Sequence, residues 1–170
     1  MMNKLTILVV DDEYFILDLI TRCLSNEKYR ILTAQSAEEG LQLLKNNEVH
    51  LVISDQRMPG MPGLSFLRKV KADYPDIITI ILTGYADIET VLEAINSAGV
   101  YKFMVKPMNM LDLKITVQRA LEWRQLIIDK DLLSNKIIAY EARLKELERM
   151  HPGITNYKKD KNGNIILELE

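Results

Sequence analysis

The stretch LVISDQRMPGMPG, residues 51–63, runs strand-prone residues straight into a bare carboxylate, Asp55, and then into two Met-Pro-Gly triplets. A short run that is apolar at nearly every position reads as a strand buried on both faces, and the Pro-Gly pairs after it read as a turn-rich loop. The pattern recurs on either side. LTILVV (5–10), YRILTA (29–34), HLVISD (50–55), IITIIL (77–82) and YKFMVK (101–106) are strand-like. Between them, Tyr14–Ser25, Ala37–Asn46, Leu64–Asp73 and Ile88–Ser97 carry apolar residues at the three- and four-residue spacing of a helix face. Ser36 with Glu39 makes a capping box ahead of the second of these, and Gly99 stands where a C′ glycine ends the fourth. Strict β/α alternation predicts an α/β fold, with parallel strands and helices on both faces of the sheet.

Composition narrows the function classes. A chain of 170 residues that is 48% hydrophobic and 27% charged has room for one ordinary core plus an appendage. The 22 basic residues are balanced by 24 acidic ones, which argues against a polyanion-binding face spread over the whole chain. A single cysteine, Cys23, excludes an internal disulfide framework and fits a reducing compartment. The opening MMNKLTILVVDDE reaches acidic residues too soon for a signal peptide, and no later stretch is long enough to cross a bilayer. A cytoplasmic protein without membrane contact is expected.

In a parallel α/β sheet the functional groups gather beyond the carboxyl ends of the strands. Here the first strand ends in Asp11 and Asp12, the third in Asp55, the fourth in Thr83 and Gly84, and the fifth in Lys106 and Pro107. Carboxylates so placed repel one another, since two charges ~4 Å apart cost about 4 kcal/mol at an effective dielectric near 20. A hard divalent cation removes the problem, and Mg²⁺ prefers one or two carboxylates, a carbonyl and several waters. Lys106 offers a mobile point charge and Thr83 a hydroxyl, both suited to phosphoryl oxygens. Together these groups describe phosphoryl transfer to Asp55.

The paired acids DD, the loop SDQRMPGMPG, and the motifs ILTGYAD and KFMVKP resemble the receiver domain of bacterial two-component response regulators, over residues 4 to about 124. The resemblance implies a doubly wound, flavodoxin-like five-stranded sheet of order 2-1-3-4-5. It implies that Asp55 is the phospho-acceptor, that Asp12 binds Mg²⁺ directly and Asp11 through water, and that the backbone carbonyl of Arg57 is the third protein ligand. Thr83 matches the switch hydroxyl, Lys106 the phosphate-pairing lysine and Phe103 the aromatic rotamer switch. A cis peptide between Lys106 and Pro107 is implied as well. The readout face of such a domain comprises the helix over 88–97, the strand over 101–106 and the start of the helix that follows. Gly60 and Gly63 read as turn residues, and Pro62 is expected at the first position of the next helix. Pro62 departs from the family, where a polar residue is common at that place. Arg57 and Tyr85, two residues beyond the acceptor and the threonine, are expected to shield an acyl phosphate from water.

After Pro107 the chain is helix-forming for about forty residues, up to His151 and Pro152, which is more than a receiver's last helix needs. Leu126, Lys130, Leu133, Ile137, Tyr140, Leu144 and Leu147 fall on the a and d positions of a heptad. A parallel homodimer through residues 123–147 would set Lys136 opposite Glu141 of the second copy and Arg143 opposite Glu148. The competing expectation is an amphipathic helix folded back on its own receiver. Beyond it, two β-prone runs flank Asn162-Gly163, the signature of a two-residue hairpin turn, with Ile165, Leu167 and Leu169 on its apolar face. The expected division is a receiver over 1–124, a helical extension over 125–151 and a hairpin tail over 152–170.

No helix-turn-helix, nucleotide-binding loop or hydrolase motif follows residue 124, and KKDK (158–161) is too short and diluted for a nucleic-acid patch. The leading expectation is a phosphorylation-activated response regulator that is not an enzyme beyond catalysing its own phosphorylation and dephosphorylation. It would take its phosphoryl group from a sensor histidine kinase or a histidine phosphotransfer protein and signal to a downstream protein. A phosphorelay carrier shares every motif. A hydrolase of the haloacid-dehalogenase type would share Asp, Mg²⁺ and Lys, but it expects a second acid two residues after its nucleophile, where this chain has Arg57.

Overall fold

The computed structural model describes residues 4–25, 29–84 and 99–153, together with the backbone of 158–159 and 165–166. The helix expected over 88–97, Tyr85, the Asn162-Gly163 turn, and Leu167 and Leu169 lie outside the described residues. The chain divides into two compact units, residues 1–125 and 126–170.

In the first unit the elements alternate as the apolar runs require. They are β1 (Leu5–Val10), α1 (Tyr14–Leu24), β2 (Tyr29–Ala34), α2 (Ala37–Asn46), β3 (Leu51–Asp55), α3 (Gly63–Asp73), β4 (Ile78–Thr83) and β5 (Lys102–Val105), followed by α4 (Met110–Met150). The five strands form one parallel sheet of order β2-β1-β3-β4-β5. The strands with the most continuous apolar runs, β1, β3 and β4, occupy the centre and are buried almost throughout, whereas the edges β2 and β5 are partly exposed. That is the expected outcome when both faces are covered by helices. Alternate strand residues serve opposite faces. Leu8, Val10, Val52 and Ile81 pack with Leu44 of α2 and Phe66, Leu67 and Val70 of α3. Ile7, Val9, Ile53 and Leu82 pack with Leu17 and Ile20 of α1 and Leu113 and Val117 of α4.

The helix starts show where local sequence is enough. Ser36 Oγ accepts from the Glu39 N–H at 3.2 Å and Glu39 Oε2 accepts from the Gln35 N–H at 2.7 Å, so the capping box forms with its return bond one residue before the cap. Helix α3 differs from expectation by one position. Pro62 is its N-cap, in an extended conformation, and Gly63 is the first helical residue.

The second unit comprises the latter part of α4 and a short antiparallel pair, β6 (Lys158–Lys159) and β7 (Ile165–Ile166). Helix α4 ends as His151 and Gly153 leave the helical conformation, Gly153 with φ +93° and its N–H bonded to Glu148 Oε1 at 2.7 Å. Lys159 pairs with Ile165 and Lys158 with Ile166.

At the amino end of the sheet, His50 fills a gap that backbone leaves. Its N–H donates to Thr6 O at 2.9 Å, and its Nδ1 accepts from the Thr6 N–H at 3.1 Å, so the side chain completes the β1–β3 ladder. Burial holds the imidazole below the ordinary histidine pKa, with Glu48 pulling it up and Arg124 adding to the depression. The unfolded chain therefore binds a proton that the fold resists. This contribution to stability is complete above the unfolded histidine pKa near ~6.5 and is lost as pH falls through it, levelling off below the folded value. Urea midpoints measured from about pH 8 down to about pH 5.5 should fall more for the wild type than for His50→Asn, which keeps an acceptor but does not titrate. Equal pH profiles would mean that His50 is not the group responsible.

Candidate functional site

The chain winds outward from β1 to β2 and then returns to β3 on the other side of β1. The carboxyl ends of β1 and β3 thus flank the switch point, where α/β sheets leave a crevice. Asp11 follows the last residue of β1, and Asp55 is the last of β3. Both are buried, at 0% and 5% exposure, where a carboxylate is tolerated only with partners.

The partners come from backbone and from one lysine. Asp11 Oδ1 accepts from the Glu13 N–H at 3.0 Å, and Asp55 Oδ2 accepts from the Arg57 N–H at 2.6 Å. Lys106 Nζ then lies 2.8 Å from Asp11 Oδ2 and 2.6 Å from Asp55 Oδ1, bridging the two acids. Its own N–H donates to Thr83 O at 2.7 Å, which ties the segment after β5 to the end of β4. The Lys106–Pro107 peptide bond is cis.

Burial pushes the Asp11 carboxyl above its usual range, and the bonds from Lys106 and the Glu13 N–H offset this only in part. Burial works against the Lys106 ammonium too, but its bonds to Asp11 and Asp55 outweigh it and raise the lysine above its ordinary value. The sequence reading sought the counter-charge for these acids in a metal and assigned Lys106 to phosphoryl oxygens. In the structure the ammonium itself stands between the carboxylates.

The other candidates fall around this pair. Thr83 is buried at the end of β4 and its hydroxyl donates to Gly84 O at 3.2 Å. Phe103, half-buried on β5, packs against the cluster containing Ile81 and Phe66. Asp12 is exposed beside Asp11, and Arg57 opens the loop after Asp55.

The groups present suit a hard cation. Asp11, Asp12 and Asp55 carboxylates and the Arg57 carbonyl are all oxygen donors. One ammonium against the two buried carboxylates leaves excess negative charge. Among the described residues, no three His, Cys, Asp or Glu side chains come together as a group that could hold a metal by themselves. An open site of few protein ligands is what Mg²⁺ uses when waters and phosphate oxygens complete its shell.

Residues 7–118 match the response regulator receiver domain family. The chain belongs to that family. It is 41% identical over 120 residues to the hydrogenase transcriptional regulatory protein HoxA of Cupriavidus necator, an alignment covering 71% of this chain and 25% of that one. Among solved structures, the signal receiver domain of an HD domain-containing protein from Pseudomonas fluorescens Pf-5 is similar with a TM-score of 0.69 and 34% identity, over 72% of this chain and 98% of that one. A receiver domain protein from Clostridium thermocellum gives a TM-score of 0.67 at 34% identity, over the same shares. The alignments to HoxA proteins cover 25% and 30% of those relatives' lengths, so this chain spans only about a quarter to a third of them.

Two residues of this receiver's site were not legible as such in the sequence. Gly63 reads as a turn glycine, yet a Cβ built on it would lie 1.9 Å from Asp55 O, so only a hydrogen fits between α3 and the backbone of Asp55. Gln56 was not singled out, although its carbonyl accepts from the Gly63 N–H and its side chain from the Leu64 N–H, both at 3.0 Å. The available signal was a glycine opening a helix eight residues after the acid.

Gly63→Ala must displace backbone rather than a flexible side chain. It should destabilise the receiver by about 1–3 kcal/mol or more and depress phosphoryl uptake at Asp55. Chemical denaturation and a phosphorylation assay would check this, and unchanged stability would show that α3 can move away freely.

Proposed function

We propose that Asp55 accepts a phosphoryl group from a histidine phosphodonor, a sensor histidine kinase or a histidine phosphotransfer protein, and that the chain signals through protein contacts in the cytoplasm. The observation that carries this reading is the Lys106 ammonium, within 2.8 Å of Asp11 and 2.6 Å of Asp55 at the switch point of the sheet. Asp55 supplies the attacking carboxylate oxygen, and the bond to the donor's phosphorus breaks as the Asp55 O–P bond forms. Lys106 can shift from the Asp55 oxygen to a phosphoryl oxygen without leaving Asp11, exchanging one charge-assisted bond for another. Asp11, Asp12, Asp55 and the Arg57 carbonyl would hold Mg²⁺, which neutralises charge on the transferring group. The chain thereby catalyses its own phosphorylation and dephosphorylation and turns over no separate substrate.

The added phosphoryl charge attracts donors that Asp55 alone does not. Thr83 would give up its bond to Gly84 O to reach it, and Phe103 would turn into the space vacated. A pre-existing equilibrium between two surfaces is biased in this way. We assign residues 1–124 to this receiver, 125–151 to a helical extension and 152–170 to a hairpin tail.

The extension is proposed to bind a second copy through residues 123–147. Leu126, Leu133, Ile137, Tyr140 and Leu144 are each more than half exposed, a stripe too long and regular for an ordinary solvated face. The Lys136–Glu141 and Arg143–Glu148 pairings between copies complement it in charge, and Lys130 at a core position would favour a defined register. No helix among the described residues is long and apolar enough to cross a membrane.

With Mg²⁺ and acetyl phosphate, the wild type should gain the mass of one phosphoryl group and Asp55→Asn should gain none. A folded wild type that takes up nothing would overturn the assignment. Independently, sedimentation should show self-association that Ile137→Asp weakens by roughly tenfold or more, because the seam would bury an uncompensated charge. Identical sedimentation of the two would exclude the seam.

A further inference from the structure

Helix α3 begins without a cap of its own. Its N-cap residue is Pro62, which has no side-chain acceptor to offer and makes no capping bond. A helix start leaves its first N–H groups without intrahelical partners, and they are usually satisfied by a Ser, Thr, Asp or Asn at the N-cap. Here the first two of these donors are taken by one distant residue. Gln56 O accepts from the Gly63 N–H, and Gln56 Oε1 accepts from the Leu64 N–H, each at 3.0 Å. Gln56 N–H meanwhile donates to Leu82 O at 2.8 Å, extending the β3–β4 ladder past Asp55.

One residue therefore fastens both ends of the loop that follows the acceptor. That loop contains Pro59 and Pro62, which bring no N–H, and Gly60 at φ +79°. Arg57 comes directly after Gln56, and its N–H holds Asp55 Oδ2 at 2.6 Å. Any rotation about Gln56 moves that donor and the Arg57 carbonyl together.

We propose that Gln56 is a positioning residue for the phosphorylation site: its side-chain oxygen, by capping α3, fixes the Arg57 peptide against Asp55 and so sets the affinity for Mg²⁺. This rests on the reading of Asp55, Asp12 and the Arg57 carbonyl given above. It also accounts for Pro62 at a place where the family commonly has a polar residue, because the capping oxygen has moved from the helix start to the neighbour of the acceptor.

A mere helix cap would produce the same hydrogen bond, and a local substitute separates the two. Gln56→Leu removes the oxygen. Adding Pro62→Ser gives α3 an N-cap of its own and keeps the full chain folded, but it does not tether the Arg57 peptide. Three quantities are measured on the full chain: thermal unfolding, Mg²⁺ binding by calorimetric titration without any phosphodonor, and the rate of phosphorylation by acetyl phosphate. Gln56→Leu should lower the unfolding temperature and weaken Mg²⁺ binding roughly tenfold, the effect of removing an outer-shell partner at a metal site. The double variant should recover the unfolding temperature while Mg²⁺ binding stays weak. Mg²⁺ binding that is unchanged in Gln56→Leu, or that recovers with Pro62→Ser, would overturn the proposal and leave Gln56 as a cap. A wild type that binds Mg²⁺ but takes no phosphate would defeat the reading of Asp55 alone, since the comparison of Mg²⁺ affinities still decides about Gln56. A wild type that binds no Mg²⁺ would defeat both.

Discussion

Two carboxylates cannot be buried at adjacent strand ends unless something answers their charge, and in this protein one ammonium answers part of it for both. Lys106 reaches Asp11 and Asp55 at hydrogen-bond distance, while backbone N–H groups of Glu13 and Arg57 take the remaining oxygens. An unpaired buried charge costs several kcal/mol, so the position of Lys106 constrains β1, β3 and the segment after β5 together. The bond from Lys106 N–H to Thr83 O adds the end of β4. The group that pairs with the two acids thus also ties the segment after β5 to three strand ends.

The scaffold makes this arrangement rigid. β1, β3 and β4 are buried on both faces, and side chains on each face interlock with two helices. Close packing of this kind transmits small displacements rather than absorbing them. The approach of Gly63 to Asp55 O and two bonds accepted by Gln56 join α3 to the end of β3 in the same way. α3, β4 and the segment after β5 are therefore all in direct contact with the strand end that carries Asp55.

The later part of α4 obeys a different rule. Its apolar side chains are exposed, whereas Leu113, Thr116, Val117, Ala120 and Leu121 of the same helix are buried in the receiver. A helix gains most of its stability in proteins from packing an amphipathic face, so an exposed stripe of this regularity calls for a covering surface. The relatives it matches are several times longer than this chain, which spans about a quarter to a third of their length.

Much of this was legible from residues alone. Short apolar runs and period-3.6 patterns located β1, α1, β2 and α2 to within a residue, because buried strands and amphipathic helices write their environment directly into local sequence. The boundaries at β4 and α3 shifted by one position, since strand and helix ends depend on which backbone groups find partners across the fold. Asp11, Asp55, Thr83 and Lys106 were identifiable as strand-end groups with chemistry and no packing role. Sequence by itself determined which groups each strand delivers and that they lie at one edge of a parallel sheet. Only tertiary structure decided that Lys106, 95 residues after Asp11, would serve as the counter-ion of two acids, and that Gln56 would cap a helix whose own N-cap is a proline. The physical reason is that β/α alternation is a one-dimensional pattern compatible with many strand orders. Contacts at a few ångströms between distant residues exist only once one order has been chosen.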